Sequence, residues 1–299
     1  MAEPTFLYPE AIVSSDWLAE HLDDPVVRVF ECTMYLQYGA AGVTARNARS
    51  EYDAGHILGA GYFDLQADLS DQSPDAFRFA MPSSDVLAAK LGEMGIGDEH
   101  RVVLYSRDTL QWSSRVWWML YAIGLEKISI LDGGFHTWMA EGRPVSAAPA
   151  DYPPARLTAN PRAGTFVGKD EVMSAIDTEG VCTINALTAN IHQGADDRYG
   201  RAGRISGSVN VPAASLQNAK TLKINTPAEV AKSFTDVGAD PRGRVIVYCG
   251  GGVAATLDAF LLRQLGYMDI AVYDNSMTEW ANDPDMPMEL GSGHKDGPA

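Results

Sequence analysis

Short apolar segments alternate along the chain with longer segments in which apolar residues recur every three or four positions. The short segments predict buried strands, and the longer ones predict helices with one apolar face. The predicted strands are residues 26–30, 102–105, 128–131, 181–184, 245–248 and 270–273, and the predicted helices are residues 17–22, 85–94, 113–123 and 257–265. Strands separated by helices predict an open, mainly parallel α/β sheet with helices on both faces.

This pattern occurs twice in the chain. The matched pairs of segments are 12–18 with 166–172, 55–60 with 203–208, 102–106 with 245–249, and Asp132 and Trp138 with Asp274 and Trp280. The offset between partners falls steadily from 154 to 142 residues, so the first copy carries the extra residues. A colinear repeat of this length predicts two tandem domains of the same fold.

A proline-rich segment separates the two copies. Residues 149–162 include Pro149, Pro153, Pro154 and Pro161, a density that excludes helix and predicts an extended linker. The predicted organisation is therefore an N-terminal domain at 1–148, the linker at 149–162 and a C-terminal domain at 163–291. The small polar residues at 292–299 predict a flexible tail.

Composition narrows the classes of function. The chain has 299 residues, 46% of them hydrophobic, and a net charge of −16. So acidic a protein is a poor ligand for nucleic acid or anionic lipid, because phosphate binding needs a basic surface. No apolar run approaches the roughly 20 residues of a membrane span, and the acidic N-terminus does not read as a secretory signal. We therefore expect a cytoplasmic protein without nucleic-acid or membrane partners.

The chain has three cysteines, Cys32, Cys182 and Cys249, with no C-x-x-C spacing. The odd number and the spacing argue against a disulfide framework and against a zinc site, and we expect no metal and no cofactor. Cys32 and Cys182 lie in or at the end of apolar strand segments, where a cysteine acts as a small core residue.

Cys249 stands in a different context. It follows the predicted strand at 245–248 and precedes Gly250-Gly251-Gly252 and the predicted helix at 257–265. Glycines allow successive N–H groups to converge on an anion, and the helix adds its positive N-terminal end. A thiol placed there is favoured in its nucleophilic thiolate form. A buried cysteine before a glycine-rich turn is the alternative interpretation.

Two other chemistries use a strand, a loop and a helix in this order. A cysteine phosphatase loop needs an arginine six residues after the cysteine to hold phosphate, and that position is Ala255. A nucleotide-binding loop needs a lysine before its serine or threonine, and none lies between Cys249 and Thr256. The loop therefore favours a thiolate nucleophile.

These features together resemble the two-domain rhodanese sulfurtransferases, the family of thiosulfate and 3-mercaptopyruvate sulfurtransferases. The matching segments are residues 13–18, 55–60, 131–138, 207–212, the Cys249 loop and 273–280, which span almost the whole chain. The resemblance implies that only the C-terminal copy is catalytic, with Ser106 standing in the first copy where Cys249 stands in the second. It also implies that Cys249 accepts a sulfane sulfur to form a persulfide and passes that sulfur to cyanide or a thiol, which includes a protein thiol.

The resemblance assigns the donor site as well. The loop after Cys249 is expected to bind the donor through Gly250, Gly251, Gly252, Val253, Ala254 and Ala255. Asp64 matches an aspartate that the first copy of the family supplies to the domain interface, whereas the accompanying histidine is replaced by Phe79.

This chain departs from both familiar branches of the family. Thiosulfate-preferring members carry basic residues after the cysteine, and this loop has none. Mercaptopyruvate-preferring members read Cys-Gly-Ser-Gly-Val-Thr-Ala, and here Gly251 and Ala254 replace the serine and the threonine. Leu187 stands where an arginine is expected to hold the donor carboxylate. A more apolar and less cationic donor pocket is therefore expected.

Other arginines could replace the missing one. Arg78 in the first copy and Arg204 before Gly207 are expected donor-binding residues, with Arg198 and Arg201 as further candidates. His192 is expected to face solvent on a loop.

The alternative function is a degenerate rhodanese pair that carries a persulfide or binds a protein, with little activity on the usual donors. Duplication within one chain makes a monomer sufficient.

Overall fold

The computed structural model describes residues 3–39 and 42–291. The predicted flexible tail at 292–299 lies outside the described residues. The chain forms two compact units. The N-terminal unit contains residues 6–163 and 217–225, and the C-terminal unit contains the described residues 3–5, 164–216 and 226–291.

The N-terminal unit is built on a five-stranded parallel sheet. The strands of this unit, within and outside that sheet, are β1 (Ile12–Val13), β2 (Val27–Glu31), β3 (Met34–Gly39), β4 (Gly42–Asn47), β5 (His56–Ile57), β6 (Gly61–Tyr62), β7 (Arg101–Tyr105), β8 (Ile128–Leu131) and β9 (Val145–Ser146). Its helices are α1 (Ser15–Glu20), α2 (Arg49–Ala54), α3 (Ser84–Glu93), α4 (Gln111–Ala122) and α5 (Gly134–Ala140), after a short 3-10 turn at Pro9–Ala11. The strand order in the main sheet is β1-β8-β7-β2-β6.

The C-terminal unit repeats this architecture. Its strands are β10 (Phe166–Val167), β11 (Val181–Asn185), β12 (Arg204–Ile205), β13 (Val209–Asn210), β14 (Arg244–Tyr248), β15 (Asp269–Tyr273) and β16 (Met288–Glu289). Its helices are α6 (Lys169–Ala175), α7 (Ala189–Gln193), α8 (Pro227–Thr235), α9 (Ala255–Gln264) and α10 (Ser276–Trp280), with a 3-10 turn at Ala213–Leu216. The sheet order β10-β15-β14-β11-β13 has the topology of the first sheet.

The predicted α/β fold class, with two tandem domains that each contain an open, mainly parallel sheet, is confirmed. Each central strand is covered on both faces, which explains why its sequence reads as a continuous apolar run. The matched tryptophans Trp138 and Trp280 are both fully buried, each in the core of its own unit. The six predicted strands and four predicted helices all exist, and their ends differ from the prediction by no more than two residues.

A β-hairpin in the first copy was not predicted. Strands β3 and β4 pair antiparallel, with Met34 opposite Asn47 and Tyr38 opposite Val43. The hairpin follows β2 directly and accounts for part of the extra length of the first copy. Its residues are largely exposed, so their polarity pattern resembles that of a loop and carried no strand signal.

Residues 217–225 leave the C-terminal unit and pack with the N-terminal one. The Leu110 N–H donates to the side-chain oxygen of Gln217 at 3.1 Å, and the Ile224 N–H donates to the Asp132 carboxylate at 2.8 Å. By sequence this segment falls within the predicted C-terminal domain. The hydrogen bonds place it instead at the carboxyl ends of β7 and β8, the edge where open α/β sheets bind ligands.

The proline-rich linker at 149–162 has no helix or strand and lies along the N-terminal unit. The Ala155 N–H donates to the Gly92 carbonyl at 2.9 Å, and the Asn160 N–H donates to the Ile123 carbonyl at 2.7 Å. A side chain at Gly92 would stand 2.7 Å from the Ala155 carbonyl oxygen, so glycine allows this close approach. The linker is therefore a docked part of the unit.

None of the helices described is long and apolar enough to cross a membrane. The described residues also contain no group of three or more His, Cys, Asp or Glu side chains that could hold a metal ion.

Asp258 is an unusual residue of α9. Its side chain is fully buried, and within the described chain neither carboxyl oxygen has a hydrogen-bond partner. Burial raises the pKa of this carboxyl well above its usual value. The folded state therefore holds the proton to higher pH than the unfolded state does, so stability falls as the pH rises above the unfolded value of about 3.9.

We expect Asp258→Asn to stabilise the protein at neutral pH, because the amide has no ionisation to suppress. The gain in the free energy of unfolding should be about 1–3 kcal/mol at pH 7.5 and much smaller at pH 4, as measured by urea denaturation. Asp236→Asn is the control, because Asp236 is exposed and only pairs with Lys232 at 2.8 Å. A variant no more stable than the parent at pH 7.5 would contradict this assignment.

Candidate functional site

Cys249 lies at the carboxyl end of the central strand of the C-terminal sheet. It is the first residue after β14, and α9 begins six residues later at Ala255. The strand is flanked by β11 and β15, with Asn185 of β11 opposite Tyr248. The Cys249 side chain is buried, with 2% of its surface exposed. The topology thus places the thiol at the edge where sheets of this type bind ligands.

The three glycines of the loop after Cys249 have three different environments. Gly252 has a φ of 69°, a conformation that side chains disfavour. A Cβ at Gly250 would stand 2.4 Å from the ring carbon Cζ of Tyr199, so that ring lies against the Gly250 backbone. At Gly251 the nearest atom to an added Cβ is Oγ1 of Thr278, 3.8 Å away, so this position is open.

The loop is fastened to the start of α10 by Ser276. The Ser276 hydroxyl accepts hydrogen bonds from the N–H groups of Cys249 at 3.0 Å and Gly252 at 3.2 Å. It donates to the Tyr273 carbonyl at the end of β15, at 2.7 Å. One buried hydroxyl therefore joins both ends of the Cys-Gly-Gly-Gly turn to the neighbouring strand.

Thr278 and Met277 complete this attachment. The Thr278 hydroxyl and N–H both donate to the Gly250 carbonyl, at 2.7 and 2.9 Å. The Met277 N–H donates to the Cys249 carbonyl at 3.1 Å. The carbonyl groups of Cys249 and Gly250 are thus turned toward α10.

Two backbone N–H groups of the Cys249 loop bond to Ser276, and the others have no acceptor among the described residues. Gly252 was predicted to bind the donor, but its N–H is occupied by Ser276. The N–H groups of Gly250, Gly251, Val253 and Ala254 have no acceptor among the described residues. They precede the N-terminal end of α9, where Ala255 is the first helical residue. The loop therefore carries backbone donors and a helix N-terminus beside the thiol, an arrangement that stabilises negative charge.

The other two cysteines have poor surroundings for a nucleophile. Cys32 is fully buried just after β2, and burial together with the nearby Glu31 raises its pKa well above the usual value. Cys182 is half-buried within β11, and burial raises its pKa to about 11. Both thiols are therefore protonated at neutral pH, as expected of structural cysteines.

Leu187 lies on the same sheet edge as Cys249. It is two residues beyond the end of β11, and its N–H donates to the Asn185 side chain at 2.9 Å. The leucine is partly buried against the core cluster that contains Tyr248 and Met277, and Tyr199 packs against the same cluster. The C-terminal unit thus has an apolar side chain at the position where the family resemblance predicts an arginine.

The arginines before Gly207 are engaged in structural contacts. Arg204 is 3% exposed and pairs with Glu289 at 3.0 Å. Arg201 donates to the carbonyls of Ala281 at 3.1 Å and Met286 at 2.9 Å. Both arginines are thus paired within the C-terminal unit, and the role of Arg204 toward the donor stays a prediction.

Arg198 and His192 are also held within the C-terminal unit. The Nε of Arg198 donates to the Asp196 carboxylate at 2.9 Å. His192, expected to face solvent, is 2% exposed, and that prediction was wrong. Burial, reinforced by the charge of Arg204, lowers the pKa of His192 to about 4, so the imidazole is neutral at physiological pH.

The two predicted donor-binding residues of the first copy lie in the N-terminal unit. The Asp64 carboxylate accepts hydrogen bonds from the Asn47 side chain at 2.6 Å and from the Gln66 N–H at 3.0 Å. Arg78 donates to the Val43 carbonyl at 2.5 Å. These contacts order loops of that unit, and their predicted role toward the donor stays a prediction.

The loop in the first copy that corresponds to the Cys249 loop is closed by its own side chains. Ser106 donates to the Thr109 carbonyl and lies 3.3 Å from the Ser113 hydroxyl. The Gly134 position has a φ of 53° and corresponds to Ser276, whose φ is 51°. The first copy therefore has neither the thiol nor the hydroxyl that ties the loop.

Sequence reasoning missed Ser276, Thr278 and Tyr199. For Ser276 a signal existed, since the repeat aligns Asp132-Gly133-Gly134 with Asp274-Asn275-Ser276 and a serine replaces a glycine in the copy that carries Cys249. Tyr199 lies 50 residues before Cys249 in a polar loop, and no sequence spacing indicated its contact with Gly250.

Comparisons with known proteins agree with the geometry. The model of the rhodanese-like domain matches residues 14–141 and 194–283. The 3-mercaptopyruvate sulfurtransferase of Escherichia coli K12 is 30% identical, over 93% of this chain and 97% of that protein. The thiosulfate sulfurtransferase of Rattus norvegicus is also 30% identical, over 90% of this chain and 91% of the relative.

A solved structure has the same fold. The crystal structure of SseA from Escherichia coli, described as a 3-mercaptopyruvate sulfotransferase, matches with a TM-score of 0.79 and 29% identity, over 89% of this chain and 98% of that one. Both copies of the repeat are covered by the family model, and both named relatives are covered almost completely. This chain is a sulfurtransferase and belongs to the rhodanese family.

Proposed function

We propose that Cys249 is the sulfur carrier of this sulfurtransferase and that it works as a persulfide. The proposal rests on the structure of the Cys249 loop. It presents a thiol beside the N-terminal end of α9 and beside four backbone N–H groups that have no acceptor within residues 3–39 and 42–291. Such donors stabilise the negative charge on a thiolate, and they stabilise the terminal sulfur of a persulfide in the same way.

The reaction has two displacement steps. The Cys249 thiolate attacks the transferable sulfur of the donor, and the bond from that sulfur to the rest of the donor breaks. The electron pair of the broken bond leaves with the donor remainder. A thiophilic acceptor then attacks the outer sulfur of the persulfide, and the electron pair of the S–S bond returns to Cys249. This is nucleophilic catalysis with ping-pong kinetics.

The donor is proposed to be a small sulfur compound of the 3-mercaptopyruvate or thiosulfate type. The acceptor is cyanide or a thiol, which includes a protein thiol. Engagement of Arg201 and Arg204 in the C-terminal unit supports weak binding of small anionic donors there. Loss of one charge-assisted hydrogen bond to a donor carboxylate corresponds to roughly 10- to 150-fold in affinity.

The N-terminal domain is proposed to be non-catalytic. Ser106 stands at the nucleophile position, and residues 217–225 occupy the carboxyl ends of β7 and β8. A cytoplasmic location and a monomeric state are retained as proposals, the first supported by three free cysteines. The alternative of a carrier without enzymatic activity is disfavoured by the curated relatives, which are named as sulfurtransferases.

The first prediction concerns the site of sulfur loading. Incubation with thiosulfate, mercaptopyruvate or a polysulfide, each separately, is expected to add one sulfur atom to Cys249, as read by intact mass and peptide mapping. Cys249→Ser should abolish the gain. Cys182→Ser is the matched control and should load normally, because the raised pKa of Cys182, about 11, leaves only about one thiol in ten thousand ionised at pH 7. Sulfur gained by Cys249→Ser would refute the assignment.

The second prediction tests the Ser276 hydroxyl. Ser276→Ala and Ser276→Gly both remove the hydroxyl that accepts from the N–H groups of Cys249 and Gly252, and the glycine variant also accommodates the φ of 51°. Loss of a buried hydrogen bond of this kind costs about 1–3 kcal/mol. We expect both variants to lower kcat/KM by at least about tenfold, since a loosened loop no longer positions the thiol.

Ser233→Ala is the control for this pair, because the Ser233 hydroxyl only donates to the Glu229 carbonyl within α8. It should leave kcat/KM unchanged. Full activity in Ser276→Gly would show that the backbone conformation, and not the hydroxyl, holds the loop.

The third prediction restores the hydroxyls that this loop lacks. Gly251→Ser together with Ala254→Thr is expected to raise kcat/KM on mercaptopyruvate by about tenfold, the equivalent of one added hydrogen bond. The space at Gly251 accepts a side chain, since the nearest atom to a Cβ is 3.8 Å away. Steady-state kinetics on mercaptopyruvate and thiosulfate measure the effect. Unchanged kinetics would mean that hydroxyls do not limit this pocket.

A further inference from the structure

Tyr199 is an aromatic side chain in direct contact with the catalytic loop. A Cβ at Gly250 would stand 2.4 Å from both Cζ and Oη of the Tyr199 ring. Since consecutive Cα atoms are 3.8 Å apart, the end of the ring lies within about 8 Å of the Cα of Cys249. Tyr199 as a whole is only partly buried.

The backbone of Tyr199 is fixed to the helix that also holds the loop. The Asn282 side chain donates to the Tyr199 carbonyl at 2.8 Å and to the Thr278 carbonyl at 2.8 Å. Thr278 in turn donates to the Gly250 carbonyl. The Tyr199 backbone and the Cys249 loop are therefore both tied to α10, the former through Asn282, which lies two residues beyond the helix.

The two arginines that flank Tyr199 in the sequence are engaged within the C-terminal unit. Arg198 pairs with Asp196, and Arg201 donates to backbone carbonyls near the end of α10. Leu187 packs against the same core cluster as Tyr199. Gly251 supplies no hydroxyl. A donor that reaches Cys249 from the side of Gly250 that faces Tyr199 thus meets the end of an aromatic ring.

We propose that Tyr199 sets the donor specificity of the enzyme and favours donors whose non-reacting part is aromatic or otherwise apolar. The proposal rests on the function proposed above. It assigns the Tyr199 ring as a contact surface for the body of the donor, while the transferable sulfur meets Cys249. Aromatic contacts of this kind correspond to about two- to tenfold in affinity.

Organic thiosulfonates provide a matched pair of donors. In benzenethiosulfonate and methanethiosulfonate the same transferable sulfur is bound to a sulfonyl group, and the net charge is the same. The Cys249 thiolate forms a bond to the outer sulfur, the S–S bond of the donor breaks, and the electron pair leaves with the sulfinate. Cyanide then takes the sulfur as thiocyanate. The two donors differ in the phenyl or methyl group that faces the protein.

The experiment measures kcat/KM for thiocyanate formation from each donor and compares the phenyl-to-methyl ratio between variants. Differences in the intrinsic reactivity of the two donors cancel in that comparison. Tyr199→Ala is expected to lower the ratio about three- to tenfold, because the ring contact is lost. Tyr199→Phe should keep the ratio, because it keeps the ring.

Met286→Ala is the control for a general loss of packing, since Met286 is partly buried against the same core cluster. It should leave the ratio unchanged. Thermal unfolding of each variant verifies that it is folded. A Tyr199→Ala variant with the parental ratio would overturn the inference while leaving the sulfurtransferase mechanism intact. A parent protein that gains no sulfur on Cys249 from either donor would instead overturn the proposed function on which the inference rests.

Discussion

The hydroxyl of Ser276 is the contact on which the catalytic loop depends. A Cys-Gly-Gly-Gly turn has little conformational preference of its own, because glycine populates many backbone states. The hydroxyl accepts from the N–H groups of Cys249 and Gly252 and donates to the Tyr273 carbonyl. Because the hydroxyl occupies the N–H groups of Cys249 and Gly252, the N–H groups of the residues between and after these two remain available to an anion. These hydrogen bonds thereby hold the flexible turn in one conformation.

The two copies show how one fold supports both a reactive and a structural loop. In the N-terminal unit, Arg107 beside Ser106 forms a 2.5 Å ion pair with the fully buried Glu31, and the Tyr105 hydroxyl donates to the same carboxylate at 3.0 Å. In the C-terminal unit the position of Arg107 is Gly250, and the sheet partner of Tyr248 is the neutral Asn185. A buried ion pair holds the residue after Ser106 in the first copy, whereas Gly250, the corresponding residue of the second copy, has no side chain to form one.

The contacts that the arginines make determine how strongly the candidate site attracts an anionic donor. An arginine can hold a donor carboxylate only if its guanidinium is not already committed to the protein. Arg201 and Arg204 are committed to backbone carbonyls and to Glu289, and the nearby imidazole of His192 is neutral. In a chain with a net charge of −16, this leaves the donor side of the C-terminal unit without strong attraction for small anions. Shape and apolar contact then become the main sources of selectivity.

The sequence by itself determined the fold class, the duplication and the candidate nucleophile. Local sequence patterns indicate these features: buried strands are apolar runs, the repeat is colinear, and Cys249 stands between a strand and a glycine-rich turn. The tertiary structure alone decided the contacts between distant segments. Tyr199 meets Gly250, Ser276 ties the Cys249 loop, and residues 217–225 pack with the N-terminal unit. It also decided which arginines are occupied, because a side chain's availability depends on the partners that folding brings to it.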